Sequence, residues 1–123
     1  MKACVSLIAI ALAASAIASA RAQTVSEFQA CSACHAVGDV GNKVEGPNLK
    51  GVVGRKVAAQ AGFKYSDALK KFAETHPVWT EALLDDFIKN AEETVPGTSM
   101  NNSPTIRNAK TRSTIVEYLK AQK

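Results

Sequence analysis

Cys31-Ser32-Ala33-Cys34-His35 decides how the rest of the chain is read. Two cysteines three positions apart, with histidine directly after them, form the pattern of c-type haem attachment. Residues i and i+3 share a face of one helical turn. Both thiols can therefore reach the two vinyl groups of a single porphyrin and become thioethers, which leaves His35 beneath the iron as an imidazole ligand. Two other chemistries use a Cys-x-x-Cys pair. A thioredoxin-like dithiol needs a βαβ setting, and no run of β-branched residues precedes Cys31. A structural zinc site needs two further ligands, but the only other cysteine is Cys4 and the only other histidine is His76. The motif points to one covalent haem c.

Upstream of the motif, Met1-Lys2 opens with positive charge, Cys4 to Ala18 is almost wholly apolar, and small residues follow. Ala18-Ser19-Ala20 and Ala20-Arg21-Ala22 both have the small-x-small form of a cleavage site. The expectation is a secretory signal peptide over residues 1–22, cut after residue 20 or 22. A spanning helix needs about 20 apolar residues, and this run is shorter. Cys4 precedes the apolar run instead of ending it, which argues against lipid modification. Processing would remove Cys4 and leave Cys31 and Cys34 as the only thiols. It would also remove Lys2 and Arg21, lowering the formal net charge of +4 by two. So small a positive balance gives no support for nucleic-acid binding. Residues 23–123 then make one domain with a modest core. A covalently held porphyrin would give its helices an apolar body to pack on, much as a structural metal staples a small fold.

Downstream, the local signals are helical or irregular, and strand signals are weak throughout. Thr24-x-x-Glu27 has the form of a capping box and opens a short helix running through Phe28 into the motif. Six glycines and Pro47 between Val37 and Gly62 predict a long irregular region. So long a stretch is unusual in a compact domain and makes sense if it wraps a cofactor edge. Ser66 is placed to cap a helix over Asp67 to Ala73, which His76-Pro77 ends. Thr80 caps the next, with Glu81 in its first turn and Leu83, Leu84, Phe87 and Ile88 as its apolar stripe. Glu92 to Asn102 reads as loop. Ser103-Pro104 reads as an N-cap followed by proline at the first helical position, opening a last helix to about Lys120 that buries Ile106, Ala109, Ile115, Val116 and Leu119. The fold class is all-α, with helices at both termini and loops between.

An iron held by His35 alone would keep an open coordination site. Beyond the signal segment, Met100 is the only methionine and His76 the only second histidine. A lone methionine is more often core filler than ligand. Met100, however, follows Val95-Pro96-Gly97-Thr98-Ser99, a proline turn far from any helical stripe, and that position favours a thioether presented to the iron.

With these residues in place, the chain resembles the class I cytochromes c, of the bacterial cytochrome c2 and mitochondrial type, over essentially all of residues 23–123. The resemblance rests on Cys31 to His35, Gly46-Pro47-Asn48-Leu49, Gly54-Arg55-Lys56, Gly62 to Ala68, Trp79-Thr80-Glu81, Pro96 to Met100, and Glu117-Tyr118-Leu119-Lys120. It implies a fold in which the terminal helices pack together, Phe28 against Tyr118-Leu119, with loops wrapping one haem. It implies His35 and Met100 as iron ligands and Pro47 as acceptor of the His35 ring N–H. Arg55, Tyr65 and Trp79 would surround one propionate, and Thr98 would lie near the other. It implies a soluble monomeric carrier of the periplasm with only peripheral membrane contact, and not an enzyme. Such a carrier takes electrons from a quinol-cytochrome c oxidoreductase and passes them to an oxidase, a photosynthetic reaction centre or a reductase. The alternative is a small-ligand-binding or peroxidatic haem protein with Met100 off the iron. There are departures as well. About three extra residues, His76 among them, lie between Lys70 and Trp79. Phe87 stands where many relatives carry tyrosine, and Asn101-Asn102 replaces the aromatic that commonly follows the methionine. Where mitochondrial relatives ring the haem edge with lysines, this chain has Ala30, Glu92, Glu93 and Ser99, which predicts docking that salt affects little.

Overall fold

The computed structural model describes residues 25–123. The expected signal peptide and the Thr24 end of the capping box lie outside the described residues. After Val25 the chain makes a single 3-10 turn, Ser26–Phe28, and runs into a four-residue helix, α1 (Gln29–Ser32). Val25 offers no side-chain cap to this turn. The Glu27 carboxylate instead accepts the Ser26 hydroxyl at 2.8 Å.

The later helices start where a short polar side chain can accept a backbone N–H. Ser66 accepts from the Leu69 amide to open α2 (Asp67–Thr75), which runs two residues past its expected end before His76-Pro77 stops it. Thr80 accepts from the Leu83 amide to open α3 (Glu81–Lys89). Asn90 accepts from the Glu93 amide and opens a single turn, α4 (Ala91–Thr94), inside the stretch expected to be loop. The last helix, α5 (Ala109–Ala121), starts later than Ser103-Pro104 implied. Asn108 is its cap, its side chain accepting from the Thr111 amide at 3.0 Å. Asparagine caps as well as serine does, so the cap residues alone could not rank the two sites. Ala109 is consequently exposed and Ile106 half-buried, not both buried as expected.

Among the described residues there is no strand, only one isolated antiparallel bridge between Lys56 and Val78. Residues 37–62 are irregular, as their glycine content predicts. The core lies where α5 crosses α3 and the N-terminal turn. Ile115, Val116 and Leu119 from α5 meet Leu84, Phe87 and Ile88 from α3. Phe28 packs on Tyr118 with ring centroids 4.9 Å apart, and Trp79 packs on Phe87 at 5.1 Å. Buried apolar side chains of this size contribute about 1.5–3 kcal/mol each, so the terminal elements are joined by their apolar faces. The α5–α3 ion pair Lys120–Glu81, 2.8 Å long and exposed, adds little.

Candidate functional site

His35 follows directly on the helical turn carrying both cysteines, its amide bonded to the Cys31 carbonyl at 2.9 Å. Its ring lies against the returning loop. Nδ1–H donates to the Pro47 carbonyl at 2.8 Å, which leaves the Nε2 lone pair of the neutral ring as the free coordinating position. Burial lowers the His35 pKa, only partly offset by the Pro47 bond, so the ring stays in the neutral form a metal needs. Gly46 makes this approach possible. A Cβ there would sit 2.6 Å from Cε1 and 2.7 Å from Nδ1 of His35.

His35 opens onto a cleft of about 880 Å³, part of it in contact with solvent. Its walls are mostly apolar, with Phe28, Val52, Leu69, Leu84 and Ile115 among them. The residues singled out in the sequence converge on it: Cys31, His35, Pro47, Arg55, Tyr65, Trp79, Thr98 and Met100 all line it. Cys34 borders an adjoining cleft that shares Cys31, His35 and Met100 with the first. His76 lines neither. Its ring stacks on Phe72 at 4.1 Å on the far end of α2, and its Nδ1 lies 2.9 Å from the Thr75 hydroxyl.

The polar groups are few. Arg55 Nη1 donates to the carbonyls of Asn48 and Lys50 at 3.0 and 3.2 Å. Its Nε is buried without a partner, an orphaned donor beside an otherwise apolar cleft that suits a carboxylate carried by a bound group. Burial lowers the Arg55 pKa and raises that of Tyr65. The Tyr65 hydroxyl accepts from the Gln60 amide at 3.2 Å. Thr98 is buried, and its hydroxyl accepts from the Met100 amide at 3.4 Å. Cys31 and Cys34 are not bonded to each other. Burial, with Cys34 nearby, pushes the Cys31 thiol above its usual range, the reverse of the lowered thiol that a dithiol oxidoreductase uses. An apolar slot, a neutral imidazole, two adjacent thiols and an unpaired guanidinium N–H match the donor set of a covalently attached haem.

Sequence reasoning missed three contributors. Gly46 was legible as a loop glycine and as part of Gly46-Pro47-Asn48-Leu49, but not its reason for being glycine, which comes from a ring brought against it by a hydrogen bond spanning twelve residues. Glu45 borders both clefts and is exposed at their mouth. Arg112 is buried in α5 although nothing in the helix pattern sets it apart from its exposed basic neighbours.

Slot and attachment motif together define a c-type haem protein of helical fold. No family model matches the chain. Comparison with curated proteins shows 41% identity to a cytochrome c-550 of Ancylobacter novellus over 73 residues, covering 59% of this chain and 68% of that protein. A cytochrome c2 of Rhodomicrobium vannielii is 37% identical over 95 residues, covering 77% and 73%. Among solved structures, cytochrome cH from Methylobacterium extorquens superposes with a TM-score of 0.67 at 40% identity, covering 76% of this chain and 90% of that one. The chain belongs to the class I c-type cytochromes. Haem c is its cofactor, with Cys31 and Cys34 in the attachment motif.

Proposed function

We propose that this chain is a monohaem one-electron carrier of the periplasm, working as residues 23–123 after removal of a signal peptide, with His35 and Met100 as the axial ligands. The observation that carries the reading is that His35, its Nδ1 committed to Pro47, and Met100 border one apolar cleft. When bound, haem c supplies a ferric/ferrous couple, and a methionine ligand favours the ferrous state relative to a second histidine. The protein's part is positioning and exclusion. The Pro47 carbonyl fixes the imidazole plane and raises its basicity. Arg55 and Tyr65 offer donors to a propionate, and the apolar walls keep water from reorganising as charge changes. Among the described residues no helix is long and apolar enough to cross a membrane. That is consistent with a carrier that meets a quinol-cytochrome c oxidoreductase and then an oxidase, reaction centre or reductase by peripheral contact.

Two measurements test the reading. Acid-acetone extraction should leave the haem on the polypeptide, with an intact mass equal to the processed chain plus one haem. The ferric protein at neutral pH should show the weak far-red sulfur-to-iron band, and Met100→Ala should abolish it while haem stays attached. A wild-type protein that is high-spin and binds carbon monoxide rapidly would replace the carrier with a ligand-binding haem protein.

A further inference from the structure

Arg112 stands in the first turn of α5, has a side chain only 10% exposed, and makes no contact that a helix requires. Its guanidinium faces outward from α5 onto two other parts of the fold. Nη1 donates to the Ile106 carbonyl at 3.0 Å and to the Arg107 carbonyl at 2.8 Å. Nε donates to Asp85 Oδ1 on α3 at 2.9 Å. Residues 101–107 form the return segment that leads from Met100 to α5 without helical structure. Among the described residues, every hydrogen bond joining 104–107 to a helix ends on Arg112. Ile106 borders the same cleft mouth as Met100 and packs on the core.

We infer that Arg112, held by Asp85, is a positioning residue for Met100. It pins the return segment so that the thioether is kept at its place in the cleft. The inference rests on the His35–Met100 ligation reading. Withdrawing Met100 together with its backbone requires the segment that carries it to swing. That swing pulls two carbonyls off a guanidinium largely shielded from water. Hydrogen bonds to charged groups are among the stronger ones. Without the clamp, the fraction of molecules with Met100 withdrawn rises, and the apparent affinity for an external ligand rises in proportion to that fraction.

The test is a titration of the ferric holoprotein with imidazole, followed by bleaching of the far-red band, alongside denaturant unfolding of the same samples. Arg112→Leu should bind imidazole about ten-fold or more tightly than wild type. Arg112→Lys, which keeps the charge but not the fork, should recover part of the difference. Val57→Ala supplies the control. It opens a small cavity in the core at a residue that lines neither cleft, and should lower the unfolding midpoint while leaving imidazole affinity within about two-fold of wild type. Wild-type affinity in Arg112→Leu would overturn the inference, and so would an equal gain in Val57→Ala. Should Arg112→Leu fail to mature, Asp85→Asn leaves the arginine in place but loosens it and should tighten imidazole binding about three-fold; an unchanged affinity there refutes the clamp. A wild type without the far-red band refutes the ligation reading and the clamp with it. An intact band with unaltered variants refutes the clamp alone.

Discussion

His35 is held by neighbours. Its amide bonds back to Cys31, and its ring is wedged between Gly46 and the Pro47 carbonyl, all within a dozen residues of chain. Met100 is held at a distance. Before it, the Gly97 amide donates to Glu92 Oε1 at 3.0 Å and the Thr98 amide to the Val95 carbonyl at 3.0 Å. After it, Ile106 packs on the core, and among the described residues the hydrogen bonds from 104–107 to a helix all end on Arg112, whose own anchor, Asp85, is 27 residues away in sequence. One flank is a rigid local knot; the other is a strap between two posts. Under the proposed ligation, His35 sits on the flank that stays put, and Met100 sits on the one whose freedom small changes at either post would alter.

If the His35 flank is the rigid one, damage to it should be the most costly. Gly46→Ala forces a Cβ into the imidazole and should cost about 3 kcal/mol, the upper end of overpacking. Denaturant unfolding and haem content per polypeptide would both register it, and a holoprotein with wild-type stability would show the knot to be loose. Next comes Asn48, buried in the same loop, where its side chain donates to the Gly38 carbonyl and accepts from the Lys50 amide. Asn48→Ala strands these groups and should lower stability by about 2 kcal/mol, read as a shift in unfolding midpoint with the far-red band intact.

The Met100 flank should answer more quietly. Glu92→Ala removes one exposed acceptor from the Gly97 amide and should cost about 0.5 kcal/mol of global stability. The sensitive readout is the imidazole affinity of the ferric holoprotein, which should rise about two-fold in the variant. An unchanged affinity would remove Glu92 as a post. The smallest expected effect concerns docking at the mouth between the two flanks. Ala30 and Ser99 lie on that rim, as the sequence implied, whereas Glu92 and Glu93 do not line it and Glu45 does. With Glu45 the one charged residue among the described residues that line the rim, the electron-transfer rate with the natural partner should vary little with ionic strength. A steep salt dependence in the wild type, left unchanged by Glu45→Lys, would contradict this.

How much of this was legible beforehand depended on the range of the interaction. Ser66 and Thr80 announced α2 and α3 because a cap acts over three residues. The thiols of Cys31 and Cys34 and the ring of His35 announced the cofactor because attachment chemistry demands that spacing. The one-turn helix α4 escaped because four residues carry too little periodicity to stand out from loop. The start of α5 was misplaced because Ser103 and Asn108 are equally good caps, and the choice fell to the return segment, whose carbonyls at 106 and 107 are taken by a side chain and not by helix.

By itself the sequence pointed to the helical class, the haem-bearing turn and the residues that line the cleft, since each follows from local spacing, side-chain chemistry and resemblance. Only the tertiary structure decided that Gly46 must lack a side chain, that His76 stacks on Phe72 away from the cleft, and that Arg112 is buried beneath the Met100 segment. The physical reason is common to all three. A steric limit, a stacking partner or a buried charge is set by what arrives from elsewhere in the chain, and no pattern of neighbours along the sequence encodes who that will be.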